Sequence, residues 1–469
     1  MRIFKNTFAL LVITAFIGCT KYLEVNPDNR VRLTTVDDFK AVVTGAYPQA
    51  YHHFTELYTD NVRYYDYPSY NNANITSWLF PIYLWSDNYI VNNAITPEAA
   101  WRKYYKNIYE ANVVLEGIDG ATGDERLKQS IKGEALMIRA YCHFMLVNIF
   151  AKHYDPITSE SDLGIPYVVE PEKEPGQHYK RDAVKYVYDQ IEKDAQEALE
   201  LIREEYMEVP KYHWSRASIH AFFSRFYLFK EDWERSLYHS QEVLKLNNSV
   251  RNLFDDFDMY FQTGDYNGFA NRYFETHQSN VLLVNYTLTW NTFERGSLYA
   301  NEFRNTFHAN DVRGRIYTTW SSQTPNYMAR KFRRNLPADG QSYADVGLFV
   351  VEEVMYNAAE ASVRKNDPDF GYAIDMLNTI LKERWRPYVP LNVSDYSTKE
   401  ELLEKVIDEK NKELCYEGYR WFDIKRHEIE VEHWDGNKYD LLKVDDPRRI
   451  VQIPFSELEA NPDMVPNPR

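Results

Sequence analysis

Apolar residues recur at helical spacing along most of this chain, and the resulting helices follow one another in pairs. Trp101, Tyr105 and Ile108 share one face of a segment that starts at a Thr-Pro-Glu cap, which predicts a helix over residues 97–118. Small residues such as Ala217 and Ala358 stand where paired helices would cross. The pattern is typical of tetratricopeptide-like units without a fixed repeat length. The same reasoning predicts helices at 124–153, 181–203, 215–227, 233–246, 349–364, 371–384 and 400–415.

Two long stretches interrupt this pattern. Residues 51–96 and 247–345 are rich in Tyr, Asn and Trp, show little helical periodicity, and contain breakers such as Gly264. The run 281–284 predicts a short strand. Loops of this length in a compact protein usually carry function, and these are too aromatic to be disordered linkers. The predicted fold class is mainly α: a scaffold of tetratricopeptide-like helix pairs, with long irregular insertions near 51–96 and 247–345 that carry a little β structure.

The net charge and the aromatic content of the chain limit the classes of molecule that it is expected to bind. The formal net charge of −16 argues against nucleic acid, because an acidic surface repels phosphate backbones. The chain also has 38 Tyr, 25 Phe and 10 Trp, so that aromatic residues make up 16% of it. Tyr joins a flat apolar face to a polar tip. Most of these rings are expected in the core, but the surplus suits a surface that stacks on flat, hydroxyl-rich ligands such as sugars.

The N-terminal segment predicts export and attachment to a membrane. Arg2 and Lys5 precede an apolar run at 8–17, which is too short to span a bilayer and has the length of a signal peptide. Gly18 and Cys19 follow directly, as in a bacterial lipoprotein signal. We therefore expect a signal peptide over 1–18 and a lipidated Cys19 as the first mature residue. The alternative is an ordinary signal peptide followed by an incidental cysteine.

Motifs that carry chemistry are missing from the sequence. It contains no His-Glu-x-x-His zinc helix, no Gly-x-Ser-x-Gly elbow and no phosphate-binding Gly loop. His52 and His53 are adjacent but face different directions on any regular element, which makes them a poor metal pair. The acidic run 255–258 lacks the Gly and distal Glu of a calcium loop. We expect no catalytic residue, no bound metal and no cofactor.

Several stretches, in order along the chain, resemble the SusD-like (SusD/RagB) family of nutrient-binding lipoproteins. Cys19 opens a segment similar to the family's mature start, and 101–112 resembles its first repeat helix. Residues 133–141 are similar to the family's G-E-A-x-x-x-R-A helix, and 453–462 to its closing I-P-x-x-E-x-x-x-N-P segment. The most specific match is 413–426, which resembles E-L-x-x-E-G-x-R-W-x-D-L-x-R. The resemblance implies one nutrient-binding domain over 19–469.

The 413–426 signature also has a physical interpretation. Gly418 suits the left-handed backbone that ends many helices, and Trp421 is expected to fill the core. Arg420 and Asp423 are expected to exchange charge-assisted hydrogen bonds. The signature is therefore predicted to be structural and not catalytic.

The resemblance implies a function as well. Such proteins lie on the outside of the outer membrane, pair with a TonB-dependent (SusC-like) barrel transporter and bind oligosaccharides, or peptides in some relatives, without chemistry. The prediction is therefore a non-enzymatic, lipid-anchored glycan-binding protein. Two alternatives stay open on the residues alone: a secreted glycoside hydrolase on a helical scaffold, and a scaffold whose helix pairs bind other proteins.

Ligand contacts are predicted in the two insertions. A ring would stack on the apolar face of a sugar, while amide or guanidinium groups would set its register. Core packing is the alternative for each of these side chains. The candidate residues are Trp78, Tyr83, Trp85 and Asn88 in the first insertion, and Trp290, Arg315, Tyr317 and Trp320 in the second.

Overall fold

The structure is a computed structural model that describes residues 33–64, 79–90, 95–174, 176–264, 276–287, 298–299, 301–321, 326–329, 331 and 344–469. Within these ranges no helix combines the length and apolar character needed to cross a bilayer. The helices are α1 (Val36–Gly45), α2 (Pro97–Gly117), α3 (Glu125–Phe150), α4 (Val184–Leu201), α5 (Arg216–Phe229), α6 (Trp233–Leu246), α7 (Leu253–Thr263), α8 (Asn301–Arg304), α9 (Arg313–Ile316), α10 (Val351–Arg364), α11 (Phe370–Leu381), α12 (Lys399–Leu414), α13 (Arg420–Arg426) and α14 (Phe455–Ala460).

The predicted scaffold helices are confirmed, and their ends agree with the structure within three residues. Local capping explains this accuracy. The hydroxyl of Thr96 accepts a hydrogen bond from the Ala99 N–H ahead of Pro97, and Asp124 does the same for Leu127 at the start of α3. Consecutive helices pack side by side, first α2 to α4 and then α5, α6 and α10 to α12. The fold class is therefore as predicted, mainly α with paired helices.

Aromatic rings fill the space between the first helices. Phe144 of α3 lies 5.4 Å from Phe222 of α5, and Tyr188 of α4 lies 5.3 Å from Phe226, measured between ring centroids. All four side chains are fully buried. This aromatic core packs α3, α4 and α5 against one another.

Within the described ranges, four small antiparallel sheets accompany the helices. Strand β2 begins at Val281, as predicted, and pairs with β6, so that the far end of the second insertion returns to the scaffold. The other pairs are β1 with β3, β4 with β5 and β7 with β8. The strands are β1 (Arg63–Tyr64), β2 (Val281–Thr287), β3 (Leu298–Tyr299), β4 (Thr318–Ser321), β5 (Asn326–Ala329), β6 (Ala344–Val350), β7 (Val431–Trp434) and β8 (Tyr439–Leu442).

One part of the second insertion is more regular than predicted. Residues 253–263 form helix α7, where little helical structure was expected. The side chain of Asn252 caps its first turn, and Gly264 ends it with a left-handed backbone at φ 67°. The acidic run 255–258 lies on this helix, with Asp256 paired to Arg251. The run therefore belongs to a capped helix and not to a loop.

A buried ion cluster lies under the C-terminal helices. Arg384 contacts Glu413 at 2.8 Å and Glu352 at 3.1 Å, and Arg313 contacts Glu413 at 3.1 Å and pairs with Glu409. These side chains are at most 2% exposed. Burial alone would raise the pKa of Glu413, but Arg384 and then Arg313 hold it at about 2. The cluster is therefore ionised and internally compensated.

The signature segment is structural, as predicted, although one of its contacts differs. Trp421 is fully buried and Gly418 has a left-handed φ of 82°. Arg420, however, does not bind Asp423; it forms a two-pronged contact with Asp60 at 2.9 and 2.7 Å. Asp423 binds Arg426 instead. The partner of Arg420 lies 360 residues away in sequence, so local spacing could not reveal it.

Candidate functional site

The two insertions meet at one surface. Strand β1 of the first insertion pairs with β3 of the second, so that Arg63 lies opposite Tyr299 and Tyr64 opposite Leu298. Strand β3 in turn contacts β5, and β1 contacts β7. The insertion junction is defined here as Arg63, Glu302, Arg304, Tyr327, Trp434 and Tyr439.

Rings and charges alternate across the insertion junction. The guanidinium of Arg63 binds Glu302 at 2.5 Å and lies 5.1 Å from the centre of the Tyr439 ring, whose hydroxyl it also contacts. Tyr439 is 47% exposed, and the half-buried Trp434 lies 4.8 Å from it. Arg304 lies 5.3 Å from the ring of Tyr327. Such a surface offers flat apolar faces beside hydrogen-bonding groups.

A hairpin near the C-terminus supplies two of these rings. Strands β7 and β8 are joined by a tight turn in which Asp435 accepts hydrogen bonds from the N–H groups of Asn437 and Lys438, and Gly436 has φ 97°. The sequence prediction missed this hairpin and its rings, Trp434 and Tyr439. The Asp-Gly dipeptide between residues of alternating burial was the available signal.

A stack of three rings supports the hairpin from below. His433 lies between Tyr83 and Trp85, at centroid distances of 4.0 and 4.1 Å and nearly parallel to both. Its Nδ1 is 2.7 Å from the Tyr83 carbonyl and its Nε2 is 2.9 Å from the Thr59 carbonyl. Two carbonyl partners favour the charged ring, but burial outweighs them and lowers the pKa of His433 to about 4. The stack is therefore neutral at pH 7.

Tyr83 and Trp85, predicted as ligand contacts, are core residues in this structure. Tyr83 is 0% and Trp85 3% exposed. Phe80 lies on the far side of Tyr83 at 6.0 Å, and Arg448 lies 5.3 Å from the Trp85 ring. Neither ring presents an open face, because both support the hairpin above them. A direct ligand contact for either stays a prediction that would require this stack to open.

Asn88 is exposed in a turn, where its N–H donates to the Ser86 hydroxyl at 3.1 Å. Trp78 lies outside the described residues. The first insertion thus offers one exposed candidate among the described positions. Its contact with a ligand stays a prediction.

The candidates of the second insertion are dispersed. Arg315 is exposed and covers Phe257 and Phe261 of α7, 4.9 and 4.4 Å from their ring centres. Tyr317 is fully buried, with the Lys331 ammonium 4.6 Å from its ring, so it too has a packing role in place of the predicted open face. The backbone of Trp320 lies on β4 opposite Tyr327. The Trp320 side chain, Trp290 and the predicted lipidation site Cys19 lie outside what the structure describes.

One group of side chains has the composition of a metal site. Donor atoms of Glu360, Asp423 and His427 lie within 4.8 Å of one another. The cations Arg426 and Lys410 already contact both carboxylates, including Arg426 to Asp423 at 2.8 Å. Protein cations therefore occupy the positions that a metal ion would need.

A concave feature, called here the scaffold cavity, lies between α2 and α14. It has a volume of about 470 Å³ and is lined by the rings of Trp101, Tyr105, Tyr109 and Tyr179. Trp101 is 5% exposed, as expected from its helical stripe, while Tyr109 is 42% exposed. Glu98, Glu170 and other carboxylates surround the opening. The chain thus offers one ring-bearing surface on its insertions and one on its scaffold.

Solved structures share this fold. A SusD superfamily protein from Bacteroides thetaiotaomicron superposes with a TM-score of 0.73 at 21% identity, covering 93% of this chain and 100% of that one. A SusD-like carbohydrate binding protein from Bacteroides vulgatus gives a TM-score of 0.70 at 20% identity, covering 92% of this chain and 98% of that one. Both structural similarities concern the fold of this chain.

Sequence comparisons point to the same group. SusD-like protein P2 of Formosa agariphila is 24% identical over 100% of this chain and 99% of its own length, and SusD-like protein P38 of the same organism is 22% identical over 92% and 93%. A family model described as "Starch-binding associating with outer membrane" (SusD-like) matches residues 21–228, and the SusD family model (SusD/RagB) matches residues 263–469. The resemblance drawn from the sequence motifs is thereby confirmed, and the chain belongs to the SusD/RagB family.

Proposed function

We propose that this protein binds oligosaccharide on the outside of the outer membrane and delivers it to a TonB-dependent transporter without altering it. In this proposal residues 1–18 are a signal peptide, Cys19 carries the lipid anchor, and 19–469 act as one nutrient-binding domain. The family model's association with the outer membrane and the carbohydrate-binding relative from Bacteroides vulgatus support this assignment.

The observation that carries the proposal is the composition of the insertion junction. Tyr439 exposes almost half of its surface beside Trp434, and Arg63 and Glu302 stand next to the ring. A sugar ring has an apolar C–H face that can lie on Tyr439 and edge hydroxyls that can bind a guanidinium or a carboxylate. Stacking of a base on an aromatic side chain is worth about 1–3 kcal/mol, and a sugar should gain no more. Affinity should therefore be modest.

Affinity electrophoresis tests the site directly. Gels containing starch, xylan, β-glucan or mannan should retard the wild-type protein with at least one of these glycans. Trp434→Ala/Tyr439→Ala should weaken the retarding interaction about tenfold, which corresponds to about 1.4 kcal/mol. Both rings are at least partly exposed, so the melting temperature should change little.

Two single variants serve as matched controls. Tyr186→Ala removes a ring of similar exposure from α4, and Tyr109→Ala removes the exposed ring of the scaffold cavity. Neither should affect retardation. Loss of binding in Tyr109→Ala, with normal binding in Trp434→Ala/Tyr439→Ala, would move the glycan site to the scaffold cavity. Sustained release of reducing ends from the bound glycan would favour the hydrolase alternative.

The anchor and the transporter need a cellular test. Cys19→Ser should stop incorporation of labelled palmitate and shift the protein from the outer-membrane fraction to the soluble fraction. The wild-type protein extracted in mild detergent should co-purify with a barrel transporter. An unlabelled wild-type protein would contradict the lipoprotein assignment, and its purification without a barrel would contradict the delivery role.

A further inference from the structure

A large cleft lies apart from the insertion junction and from the scaffold cavity. It has a volume of about 990 Å³, at the upper end of the range for ligand sites, and forms between the segment after α3, the α5–α6 turn and the segments that follow α13 and β8. We refer to it as the histidine cleft, defined by His153, Glu231, His427 and Glu428. All four line it.

Both glutamates of the histidine cleft occupy backbone positions that suit glycine. Glu231 has φ 60° and Glu428 has φ 53°, and each comes directly after the residue that caps a helix. A residue with a side chain is strained in this conformation, and Gly or Asn is usual there. The described residues contain four such non-glycine positions, and two of them place a carboxylate in this one cleft. Each glutamate thus places a carboxylate in the cleft from a backbone conformation that favours glycine.

The histidines add hydrogen-bonding capacity that the described protein atoms do not use. His153 Nε2 is shielded from solvent, has no hydrogen-bond partner among the described residues, and lies 4.0 Å from Glu231 Oε1, too far for a direct bond. His427 is 6% exposed; Arg364 donates to its Nδ1 at 2.6 Å, which leaves the proton on Nε2. That Nε2 lies 3.3 Å from Glu360 without the alignment of a hydrogen bond. Both Nε2 atoms are shielded, so the exposed Glu231 and Glu428 are the groups that a ligand in the cleft would reach directly.

Charge in the histidine cleft is nearly balanced. Five cationic and six carboxylate side chains line it. Several cations are already engaged, since Lys152 binds Asp162 at 2.6 Å and Arg426 binds Asp423 at 2.8 Å. A cleft with many donors and acceptors but little net charge favours a neutral ligand that can both donate and accept. The exposed Val444 and the Pro156 ring, which also line it, offer apolar contacts beside these groups.

We propose that the histidine cleft is a second saccharide site, in which the exposed Glu231 and Glu428 accept hydrogen bonds from sugar hydroxyls beside the two shielded imidazoles. Neutral saccharides carry the required density of hydroxyl groups and the apolar C–H faces. The inference rests on the proposed function in that it assumes the same class of ligand, but it concerns residues remote from the insertion junction.

Glycine substitution separates binding from folding at this site. Glu231→Gly/Glu428→Gly removes both carboxylates and also relieves the left-handed backbone, so the variant should melt at the same or a higher temperature. Isothermal titration with maltohexaose, cellohexaose, xylohexaose and mannohexaose should show two saccharides per wild-type protein for at least one probe. The glycine variant should bind one. Glu208→Gly, at an exposed loop carboxylate elsewhere, should bind two.

A second readout locates the bound sugar. In protein with ¹⁵N-labelled histidine, the binding probe should shift the imidazole signals of His153 and His427, and should still do so in Trp434→Ala/Tyr439→Ala. A single saccharide per protein that is lost in that junction variant, with unshifted imidazoles, would overturn the second site and leave the proposed function intact. Absence of binding for every probe would overturn both.

Discussion

The two halves of the scaffold hold together by different means. Between α3, α4 and α5 most contacts are ring against ring, as with Phe144 and Phe222, beside one buried ion pair of Arg139 with Asp194. Beneath α10 and α12 the centre is a set of ion pairs around Arg384 and Glu413. Apolar ring contacts tolerate changes that conserve volume. Buried ion pairs tolerate little, because loss of one partner leaves a charge without compensation. The two halves of one fold should therefore differ in how well they tolerate substitution of buried residues.

Removal of one charge should give the largest effect. Arg384→Met keeps much of the side-chain volume but leaves Glu413 and Glu352 short of a cation, which should lower the free energy of unfolding by about 3–5 kcal/mol. Phe222→Leu in the aromatic core should cost less than about 1.5 kcal/mol. Urea unfolding at pH 7, followed by circular dichroism, compares the two. Equal losses would show that the halves do not differ in tolerance.

Acid should sharpen the comparison, since His143 in the aromatic half and Glu413 in the ion cluster titrate in different ranges. His143 donates through Nδ1 to the Arg139 carbonyl at 2.8 Å and accepts from the Val168 N–H through Nε2 at 3.0 Å. Burial lowers its pKa to about 3. The folded pKa lies below the unfolded value near 6.5, so the neutral ring stabilises fully above that pH, and this contribution falls as pH drops toward 3. Glu413, with a pKa of about 2, loses its contribution only below about 4.5.

The contribution of His143 should therefore be lost before that of Glu413 as the pH falls. Between pH 6.5 and 5, His143 alone should reduce the free energy of unfolding by about 2 kcal/mol. His143→Gln should be less stable at pH 7 but should lose about 2 kcal/mol less than wild type across that interval. Urea midpoints at the two pH values measure this. Parallel losses in wild type and His143→Gln would contradict the assignment of a neutral, buried imidazole.

The 413–426 signature segment contacts the first insertion through Gly418. A substitution there should have a smaller effect on the free energy of unfolding than the loss of Arg384. The N–H of Gly418 donates to Glu56 at 3.0 Å, its φ is 82°, and an added Cβ would lie 3.0 Å from the His52 carbonyl. Gly418→Ala should therefore cost about 1–2 kcal/mol, from the left-handed backbone. Gly45→Ala, where an added Cβ meets nothing within 4 Å, is the matched control and should cost almost nothing. A harmless Gly418→Ala would show that the loop can adjust independently.

Helices were predictable because their determinants are local. The Thr96 cap, the following proline and the stripe through Trp101 and Ile108 are all visible within one segment of sequence. The strand at Val281 was predictable for the same reason, as a short apolar run between breakers. Helix α7 was missed because its rings alternate with a run of aspartates, which resembles a solvated turn until the Asn252 cap is considered.

Site residues were harder because exposure depends on distant partners. Tyr83 and Trp85 resemble loop rings in sequence, and only the placement of His433 between them shows that they are covered. Tyr317 is similarly covered by Lys331. Conversely, Tyr439 became a candidate only through its contact with Arg63, 376 residues earlier. Local periodicity carries no information about such encounters.

The pairing of β1 with β3 has a consequence for how new ligand preferences could arise. Hydrogen bonds between the strands hold Arg63 opposite Tyr299. Inserting a residue in either strand would change this register and shift the side chains of one insertion relative to those of the other. The loops should therefore diverge as a matched set during evolution. A chimera that takes both from one relative should keep the proposed glycan site, whereas a chimera that takes only one should lose it, even though the helices underneath are unchanged.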